Sequence, residues 1–322
     1  PIVHPGNPSR LAALGSRMEP AEDISALATP PRRAMAPAAK ALVFFNEKAG
    51  SVGSSDRVKL VEVLNEADIV QYALIDAEKI SPDLFARANE FDVIIVLGGD
   101  GTARAAAELA PRGGPPLVLL PGGTLNILPK ALYGDRSWPE ALKAALESGE
   151  IRRLPLGRAN GEAFYVAAFF GGATMLVHAR EAVRAGKPLA AWRRLRIAMR
   201  RSFTRSLRAR KGAERMRKVE ALGVLLPSFS GGLEADDLEW VRLDARHILD
   251  LARVSLRAMT AAWRNDPAVE IANTRSGDVD AAFGYVHATL DGEPRRFYAR
   301  VHVRYDPNGP RVLALTSPED AA

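Results

Sequence analysis

Cysteine is absent from this sequence of 322 residues, and none of its apolar runs is long. Without cysteine the chain has no disulfide, no thiolate nucleophile and no cysteine-bound metal, which fits a reducing cytoplasm. No apolar run reaches the ~18 residues of a membrane span, and the first residues lack the charged-then-apolar order of a signal peptide. We therefore expect a cytoplasmic protein that contacts the inner face of the membrane only peripherally.

Other catalytic signatures are missing as well. The sequence has no GxSxG motif, which argues against a serine hydrolase, and no GxxxxGK(S/T) phosphate loop. An apparent dinucleotide fingerprint fails at Arg104, where glycine or alanine is needed. The histidines, at positions 4, 178, 247, 287 and 302, lack metal-ligand spacing. We expect structural or surface roles for them.

Length and composition predict a folded protein with two domains. Hydrophobic residues make up 47% of the chain and charged residues 25%, near the average for globular proteins. Residues 1–39 are rich in proline, alanine and glycine and show no period, which predicts a flexible tail. An alternative for the tail is a membrane or partner arm that uses its basic residues Arg10, Arg17, Arg32 and Arg33.

Residues 40–150 alternate between strand-like and helix-like segments. Two of the strand-like segments, 93–97 and 117–120, are continuous apolar runs, as expected for strands covered on both faces. This order predicts an α/β domain built on a parallel sheet. From 151 to 307, several short strand patterns with turn residues between them predict a second domain that is β-rich and sandwich-like.

The run GGDGT at 98–102 lies directly after an apolar strand and directly before a predicted helix. Glycine lets the backbone approach phosphate oxygens, and the N–H groups at the start of a helix favour an anion. A carboxylate inside an anion site makes electrostatic sense only beside a metal ion or a reacting hydroxyl group. Asp100 is therefore a candidate base or metal contact.

Two further loops have the same features. PGGTLN at 121–126 ends the next buried strand, and NEKAGS at 46–51 follows the first strand. Because ligands of open α/β sheets bind at the carboxyl ends of the strands, we expect these loops to converge with GGDGT on one nucleotide. The alternative is that each glycine only makes a tight turn, an explanation that suits one loop better than three.

The net charge of +6, with a pI of about 9.7, favours anionic partners. The segment 187–218 holds many of the basic residues and a single acid, Glu214. Apolar residues recur in it at helical spacing, namely Trp192, Leu195, Met199, Phe203 and Leu207. A helix near 189–211 that lies on an anionic membrane fits this pattern, as does a helix whose apolar stripe packs on the domain's own core. A second helix is expected near 247–263.

Together, the motifs at 46–51, 98–102 and 121–126 resemble those of the diacylglycerol kinase catalytic family, which includes bacterial soluble lipid kinases and the sphingosine and ceramide kinases. The resemblance covers most of the chain after the tail. It implies an NAD kinase-like or phosphofructokinase-like α/β domain over 40–150, which the last segment, 308–322, rejoins. It also implies that the β-rich domain binds lipid.

The resemblance assigns roles to individual residues. In the family the loops hold the ATP phosphates, and the aspartate of GGDGT lies close to the reacting groups. The implied nucleotide contacts are Asn46, Gly50, Ser51, Gly98, Gly99, Gly101, Thr102, Gly122, Gly123, Thr124 and Asn126. The run LDGE at 290–293 looks like the family's late acidic motif, which gives Glu293 the base or magnesium role, with Asp291 second. A plain hairpin turn is the alternative for this run.

These roles imply direct in-line transfer of phosphate from ATP, with Mg²⁺, to a membrane lipid alcohol such as diacylglycerol, ceramide or a sphingoid base. Asp100 or Glu293 would accept the hydroxyl proton or contact Mg²⁺ through a bound water. Ile127 stands where the family often has aspartate, and Glu47 where it usually has proline. Two alternatives therefore stay open: a kinase of a soluble acceptor such as NAD, and a non-catalytic nucleotide sensor at a membrane surface. We expect no nucleic-acid partner, because the chain has no recognition motif for one.

Overall fold

The computed structural model describes residues 39–315 except for 68, 70, 172–206, 231–232, 234–235, 244–263, 282–283 and 299. These residues fall within the compact unit Arg33–Ala322. The predicted tail up to residue 38, the helix predicted near 247–263 and residues 187–206 of the basic segment lie outside the described residues.

The described residues form five α-helices and eighteen strands. The helices are α1 (Ser54–Glu66), α2 (Pro82–Ala86), α3 (Asp100–Leu109), α4 (Ile127–Tyr133) and α5 (Trp138–Ser148). The strands are β1 (Lys40–Phe45), β2 (Gln71–Asp76), β3 (Val93–Gly98), β4 (Leu117–Pro121), β5 (Glu150–Arg153), β6 (Leu156–Ala159), β7 (Glu162–Phe164), β8 (Ala167–Gly171), β9 (Leu207–Lys211), β10 (Arg217–Val219), β11 (Ala221–Leu225), β12 (Leu238–Leu243), β13 (Val269–Thr274), β14 (Ser276–Ala281), β15 (Val286–Leu290), β16 (Glu293–Phe297), β17 (Val301–Asp306) and β18 (Arg311–Ala314). None of these helices is long and apolar enough to cross a bilayer.

The first sheet has the strand order β2-β1-β3-β4-β18-β5. Its pairs are parallel except at one edge, where β5 runs antiparallel to β18. Every residue of β3 is buried, which explains why this strand is a continuous apolar run. The sheet is therefore mixed rather than purely parallel. The loops after β1, β3 and β4 leave it at the same edge, because these three strands run in one direction.

Two six-stranded antiparallel sheets make up the β-rich part. The outer sheet has the order β10-β9-β14-β17-β6-β7, and the middle sheet has the order β13-β12-β11-β8-β15-β16. Apolar side chains of both sheets, such as Phe164 and Phe170, form a common core. The other face of the middle sheet adds Ala167, Leu225 and Val241 to the core of the α/β part. The middle sheet is thus covered on both faces, and one face rests on the α/β part.

The helix predicted near 189–211 is wrong at its described end. Residues 207–211 form β9, which pairs with β10 and β14. Leu207 and Ala209 are buried while Arg208 between them is exposed, which is the two-residue alternation of a strand. Leu207 fits the helical stripe equally well in the sequence, but the neighbouring strands that bury it decide the local structure.

Candidate active site

Three loops, 46–51, 98–102 and 121–126, meet at the carboxyl ends of β1, β3 and β4, and we call their meeting point the loop junction. The Ser51 N–H donates to the Gly122 carbonyl (3.0 Å), and the Gly122 N–H donates to the Gly98 carbonyl (2.8 Å). The convergence expected from the sequence is therefore present, and it is made by backbone contacts.

Close backbone packing explains the glycines at the centre of the loop junction. A Cβ atom on Gly123 would lie 2.7 Å from the Gly99 Cα, and one on Gly122 would lie 3.0 Å from the Gly98 Cα. None of these four glycines has a positive φ, so a tight turn is not the reason for them. At Gly122 and Gly123 the neighbouring backbone approaches too closely for a side chain to fit. A Cβ atom on Gly98 would instead meet the Thr102 side chain (2.8 Å), and one on Gly99 would lie at ordinary contact distance from the Gly123 Cα (3.5 Å).

Gly101 has different surroundings. A Cβ atom on Gly101 would meet no atom within 4 Å, so the space beside it is open. Gly101 lies in the first turn of α3, where N–H groups have no acceptor within the helix and the helix dipole favours a negative charge. The open side of Gly101 thus leaves room for an anion at the start of α3, and the contact of Gly101 with a phosphate stays a prediction.

Side chains of the predicted nucleotide contacts also tie the loops together. Asn46 Nδ2 donates to Thr102 Oγ1 (2.8 Å), which links the first loop to α3. Ser51 Oγ donates to the Gly123 carbonyl (3.2 Å), which links the first loop to the third. These residues therefore hold the shape of the loop junction, and their contact with a nucleotide stays a prediction.

Asn126 fixes the shape of the third loop. Its backbone is left-handed (φ 52°, ψ 43°), a conformation that asparagine adopts more readily than most residues. Its Oδ1 accepts the Gly123 N–H (2.7 Å), and its Nδ2 donates to the Gly123 carbonyl (2.9 Å). The same loop leaves no room beside Gly50, whose added Cβ would lie 2.9 Å from Thr124 Oγ1. Asn126 thus shapes the loop that Gly50 packs against.

Asp100 is the first residue of α3, and Gly99 is the N-cap. Its Oδ1 accepts the Leu128 N–H (3.3 Å) from the first turn of α4. The carboxylate therefore lies between the beginnings of two helices, directly at the loop junction. Ile127, which replaces the frequent aspartate, begins α4 and packs partly buried against the core of the α/β part.

The acidic run at 290–293 forms the turn of the hairpin between β15 and β16. Asp291 (φ 47°) and Gly292 (φ 91°) both have positive φ, as a common two-residue hairpin turn requires. The hairpin alternative thus describes the backbone of this run correctly. The two acidic side chains nevertheless have separate roles, because one turns into the protein and the other faces α3.

The Asp291 carboxylate accepts three backbone N–H groups, from Tyr165 (2.7 Å), Val166 (2.9 Å) and Ala167 (2.9 Å). Desolvation raises the pKa of Asp291 to about 6, although the three N–H donors and the Arg104 guanidinium act to lower it. Since its oxygens are engaged with the start of β8, these contacts favour a positioning role for Asp291. Its place as second candidate for the base stays a prediction.

Glu293 is half exposed and faces α3. Its Oε1 lies 3.5 Å from Arg104 Nη2, and its Oε2 lies 3.6 Å from Arg295 Nη1. Arg104 is four residues after Asp100 on α3, one helical turn along the same face. The β-rich part thus brings a carboxylate to the helix that begins with Asp100.

Arg104 is a functional candidate that sequence reasoning missed. Its side chain is only 14% exposed, and it also pairs with Glu108 (3.3 Å). Its Nε is buried without a hydrogen-bond partner among the described residues, which is costly unless something is gained elsewhere. The spacing of four residues from Asp100 was the available signal, since it places both side chains on one face of the helix.

The carboxylates near the loop junction suit a magnesium ion that is also bound by substrate phosphates and waters. Across the described part of the chain, no group of three or more His, Cys, Asp or Glu side chains could hold a metal ion by itself. Mg²⁺ at phosphoryl-transfer sites is usually held by one or two carboxylates together with substrate phosphates and waters. Asp100 and Glu293 would supply that number of carboxylates, and their contact with Mg²⁺ stays a prediction.

Comparison with known proteins relates part of this chain to a protein family. Residues 40–159 match the family described as diacylglycerol kinase catalytic domain. A diacylglycerol kinase of Bacillus subtilis (strain 168) is 38% identical over 97 residues, which are 29% of this chain and 31% of that protein. The chain thus matches less than a third of the length of this relative.

Solved structures share the fold over a larger part of the chain. The crystal structure of a diacylglycerol kinase from Bacillus anthracis str. Sterne is 14% identical, covers 86% of this chain and 97% of its own, and has a TM-score of 0.62. An NAD kinase from Archaeoglobus fulgidus in complex with ATP is 15% identical, covers 87% and 95%, and has a TM-score of 0.52. The predicted fold class, an NAD kinase-like α/β domain with a β-rich sandwich-like domain, is confirmed.

Proposed function

We propose that this chain transfers the terminal phosphate of ATP to the hydroxyl group of a membrane lipid alcohol, since residues 40–159 match the diacylglycerol kinase catalytic domain. One observation carries the proposal: Glu293, from the β-rich part, reaches α3 through Arg104 and so stands beside the loop junction. The loop junction suits phosphates, and the carboxylate suits a proton acceptor.

Phosphate binding is the role of the backbone. The N–H groups of the first turn of α3 have no acceptor within the helix, and the open space beside Gly101 would let a nucleotide phosphate approach them. The ATP complex of the similarly folded NAD kinase supports ATP as the donor. Asn46, Ser51, Thr102 and Asn126 keep the loops in this arrangement through the hydrogen bonds between them.

Proton transfer is the role of a carboxylate. In direct in-line transfer the lipid oxygen bonds to the terminal phosphorus as the bond to the bridging oxygen of ATP breaks, and the hydroxyl proton needs an acceptor. Glu293 is the first candidate, because it is half exposed and its two oxygens lie 3.5 Å and 3.6 Å from guanidinium groups, beyond the usual length of a charge-assisted hydrogen bond. Asp100 is the second. The transfer needs no covalent enzyme intermediate.

Magnesium would be held by Asp100 and Glu293, directly or through water, and when bound it neutralises phosphate charge. The described residues provide the two carboxylates from opposite parts of the fold, Asp100 from the α/β part and Glu293 from the β-rich part. Both parts of the fold would therefore contribute to holding the metal.

The acceptor we favour is diacylglycerol, because this is the substrate in the name of the matched family. Ceramide and sphingoid bases present the same hydroxyl chemistry and belong in the same assay. Because the acceptor resides in a bilayer, we propose that the protein works as a peripheral protein at the inner face of the membrane.

The test is phosphate transfer from γ-labelled ATP with Mg²⁺ to a panel of lipid alcohols in anionic micelles, with NAD as a soluble acceptor. Wild type is run beside Asp100→Asn and Glu293→Gln. The matched control is Glu147→Gln, an exposed residue of α5. We expect a labelled lipid with wild type and the control, and a loss of about 100-fold or more for the two site variants, without loss of ATP binding or of fold.

Two results would contradict the proposal. Labelled NAD without labelled lipid would show a kinase of a soluble acceptor. ATP binding without any labelled acceptor, unchanged by Asp100→Asn, would show a nucleotide sensor, in agreement with the apolar Ile127 at the start of α4.

A further inference from the structure

The three loops of the loop junction contain one basic residue, Lys48, and two acidic residues, Glu47 and Asp100. The phosphates of a nucleotide are multiply charged, and lysine is a common phosphate ligand that acts as a point charge. Arg104, on α3, is already engaged by Glu108 and Glu293. Lys48 is therefore the first side chain to consider as a cation for the phosphates.

The residues on both sides of Lys48 are fixed to the loop junction. Asn46 Nδ2 donates to Thr102 Oγ1 (2.8 Å), and Asn46 Oδ1 accepts the Lys48 N–H (3.1 Å). On the other side, a Cβ atom on Gly50 would lie 2.9 Å from Thr124 Oγ1. The backbone of Lys48 is thus two hydrogen bonds from the first turn of α3. The flexible four-carbon stem of a lysine allows its ammonium group to turn from there toward a phosphate.

Lys48 Nζ pairs with Glu78 Oε1 at the side of the loop junction. Glu78 lies in the turn that follows β2, and β2 runs parallel to β1 at the edge of the sheet, so this turn and the loop junction share one edge of the sheet. The two side chains are 81% and 66% exposed, and ion pairs this exposed are weak. A multiply charged phosphate chain can therefore displace Glu78 from the lysine.

A second exposed lysine in the same place makes a different contact. Lys79 Nζ lies 3.8 Å from Asp76 Oδ2, three residues away at the end of β2. Its partner belongs to the same turn, whereas the pair of Lys48 and Glu78 joins two loops that follow different strands. Lys79 thus has the charge and the exposure of Lys48 without a place in the loop junction.

We infer that Lys48 binds a phosphate of ATP and that Glu78 competes with the nucleotide for this lysine. The inference rests on the proposed function, because it concerns the ATP site of that kinase. On binding, the exposed ion pair is exchanged for charge-assisted hydrogen bonds to phosphate. Loss of Lys48 should therefore weaken ATP binding, and loss of Glu78 should strengthen it. An ion pair that serves only the surface would produce neither effect.

The test is calorimetric titration of the full chain with ATP and Mg²⁺. Lys48→Met should lower the affinity about tenfold or more through loss of a charged hydrogen bond. Glu78→Gln should raise it about two- to fivefold, which is the strength of an exposed ion pair. Lys79→Met, the matched control, should change it by about twofold at most, since its exposed charge is screened. Thermal unfolding of each variant provides the check on folding.

The double variant Lys48→Met/Glu78→Gln separates competition from repulsion. If Glu78 acts through the lysine, the double variant should bind ATP as Lys48→Met does. If Glu78→Gln raised the affinity equally with and without Lys48, Glu78 would repel the nucleotide directly, and the competition would be disproved. Inorganic triphosphate with Mg²⁺ is the second ligand. Lys48→Met should weaken its binding by the same factor, and a loss confined to ATP would place Lys48 at the nucleoside and overturn the inference.

Failure of the inference and failure of the proposed function give different results. If wild type bound ATP and Lys48→Met bound it equally well, the inference would be wrong and the proposed function would stand. Equal losses for Lys48→Met and Lys79→Met would also overturn the inference, because they would show attraction by overall charge. If wild type did not bind ATP, the proposed function would fail and the inference with it.

Discussion

The two halves of the candidate active site are built by different means. At the loop junction backbone packs on backbone, so closely that an added Cβ on Gly123 would lie 2.7 Å from the Gly99 Cα. In the acidic turn, polar contacts hold the structure: Asp291 accepts three N–H groups, and Glu293 pairs with Arg104. The first half should therefore be sensitive to added volume, and the second half to changes of charge and hydrogen bonding.

The largest expected effect concerns the charge of Asp291. Its pKa in the folded protein, about 6, is higher than the usual 3.8, so the fold favours the protonated form. This contribution to stability is fully present below about pH 4 and is lost as the pH rises through about 6, by up to about 3 kcal/mol. Asp291→Asn lacks the titration. In urea unfolding experiments, the free energy of unfolding of wild type minus that of Asp291→Asn should fall as the pH rises from about 4 through about 6.

Glu293→Gln is the control for that prediction, since Glu293 is in the same turn and half exposed. If the same fall appeared in the difference between wild type and Glu293→Gln, it would belong to the turn as a whole and not to Asp291. A wild-type advantage over Asp291→Asn that did not depend on pH would mean that the acidic turn is not controlled by a desolvated carboxylate, and the contrast between the two halves would weaken.

The next effect concerns volume at the loop junction. Gly123→Ala places a methyl group against the Gly99 backbone, and overpacking of this kind typically costs about 1–3 kcal/mol. Gly113→Ala is the matched control, because a Cβ there would meet nothing within 4 Å. Chemical denaturation of both variants measures the difference. Equal stability of the two would show that the loops can separate without cost, contrary to the packing described.

The sequence predicted the α/β half better than the β half. Glycine loops at the ends of apolar strands are local patterns, so the convergence of 46–51, 98–102 and 121–126 followed from strand direction alone. The antiparallel β5 and the strand at 207–211 depend on pairing with distant strands, which a local pattern does not reveal. The role of Asp291 likewise depends on the N–H groups of 165–167, which are more than a hundred residues away in the chain.

Arg104 connects the two halves, and a smaller effect is expected from its removal. Arg104→Met removes the contact with Glu293 and should lower kcat about tenfold or more through loss of positioning, with ATP affinity nearly unchanged. Arg104→Lys keeps the charge without the planar guanidinium fork, so its kcat should lie between those of wild type and Arg104→Met. Arg87→Met, at an exposed residue paired with Glu90, is the control. If Arg104→Met kept the wild-type kcat, Glu293 would not depend on the contact with Arg104 for its position.

The smallest effect on stability is expected at Gly101. Substitution there separates two reasons for glycine in the loop junction, the close packing of the loops and the room needed by a phosphate. Gly101→Ala puts a methyl group into open space at a helical position, so the free energy of unfolding should stay the same or rise by about 0.5–1 kcal/mol. The same methyl group would occupy the side of the loop junction that we assign to phosphate, so ATP affinity, measured by calorimetry, should fall. Gly123→Ala should lower both quantities. If Gly101→Ala bound ATP as wild type does, phosphate would not enter beside Gly101, and the glycines of the junction would be explained by loop packing alone.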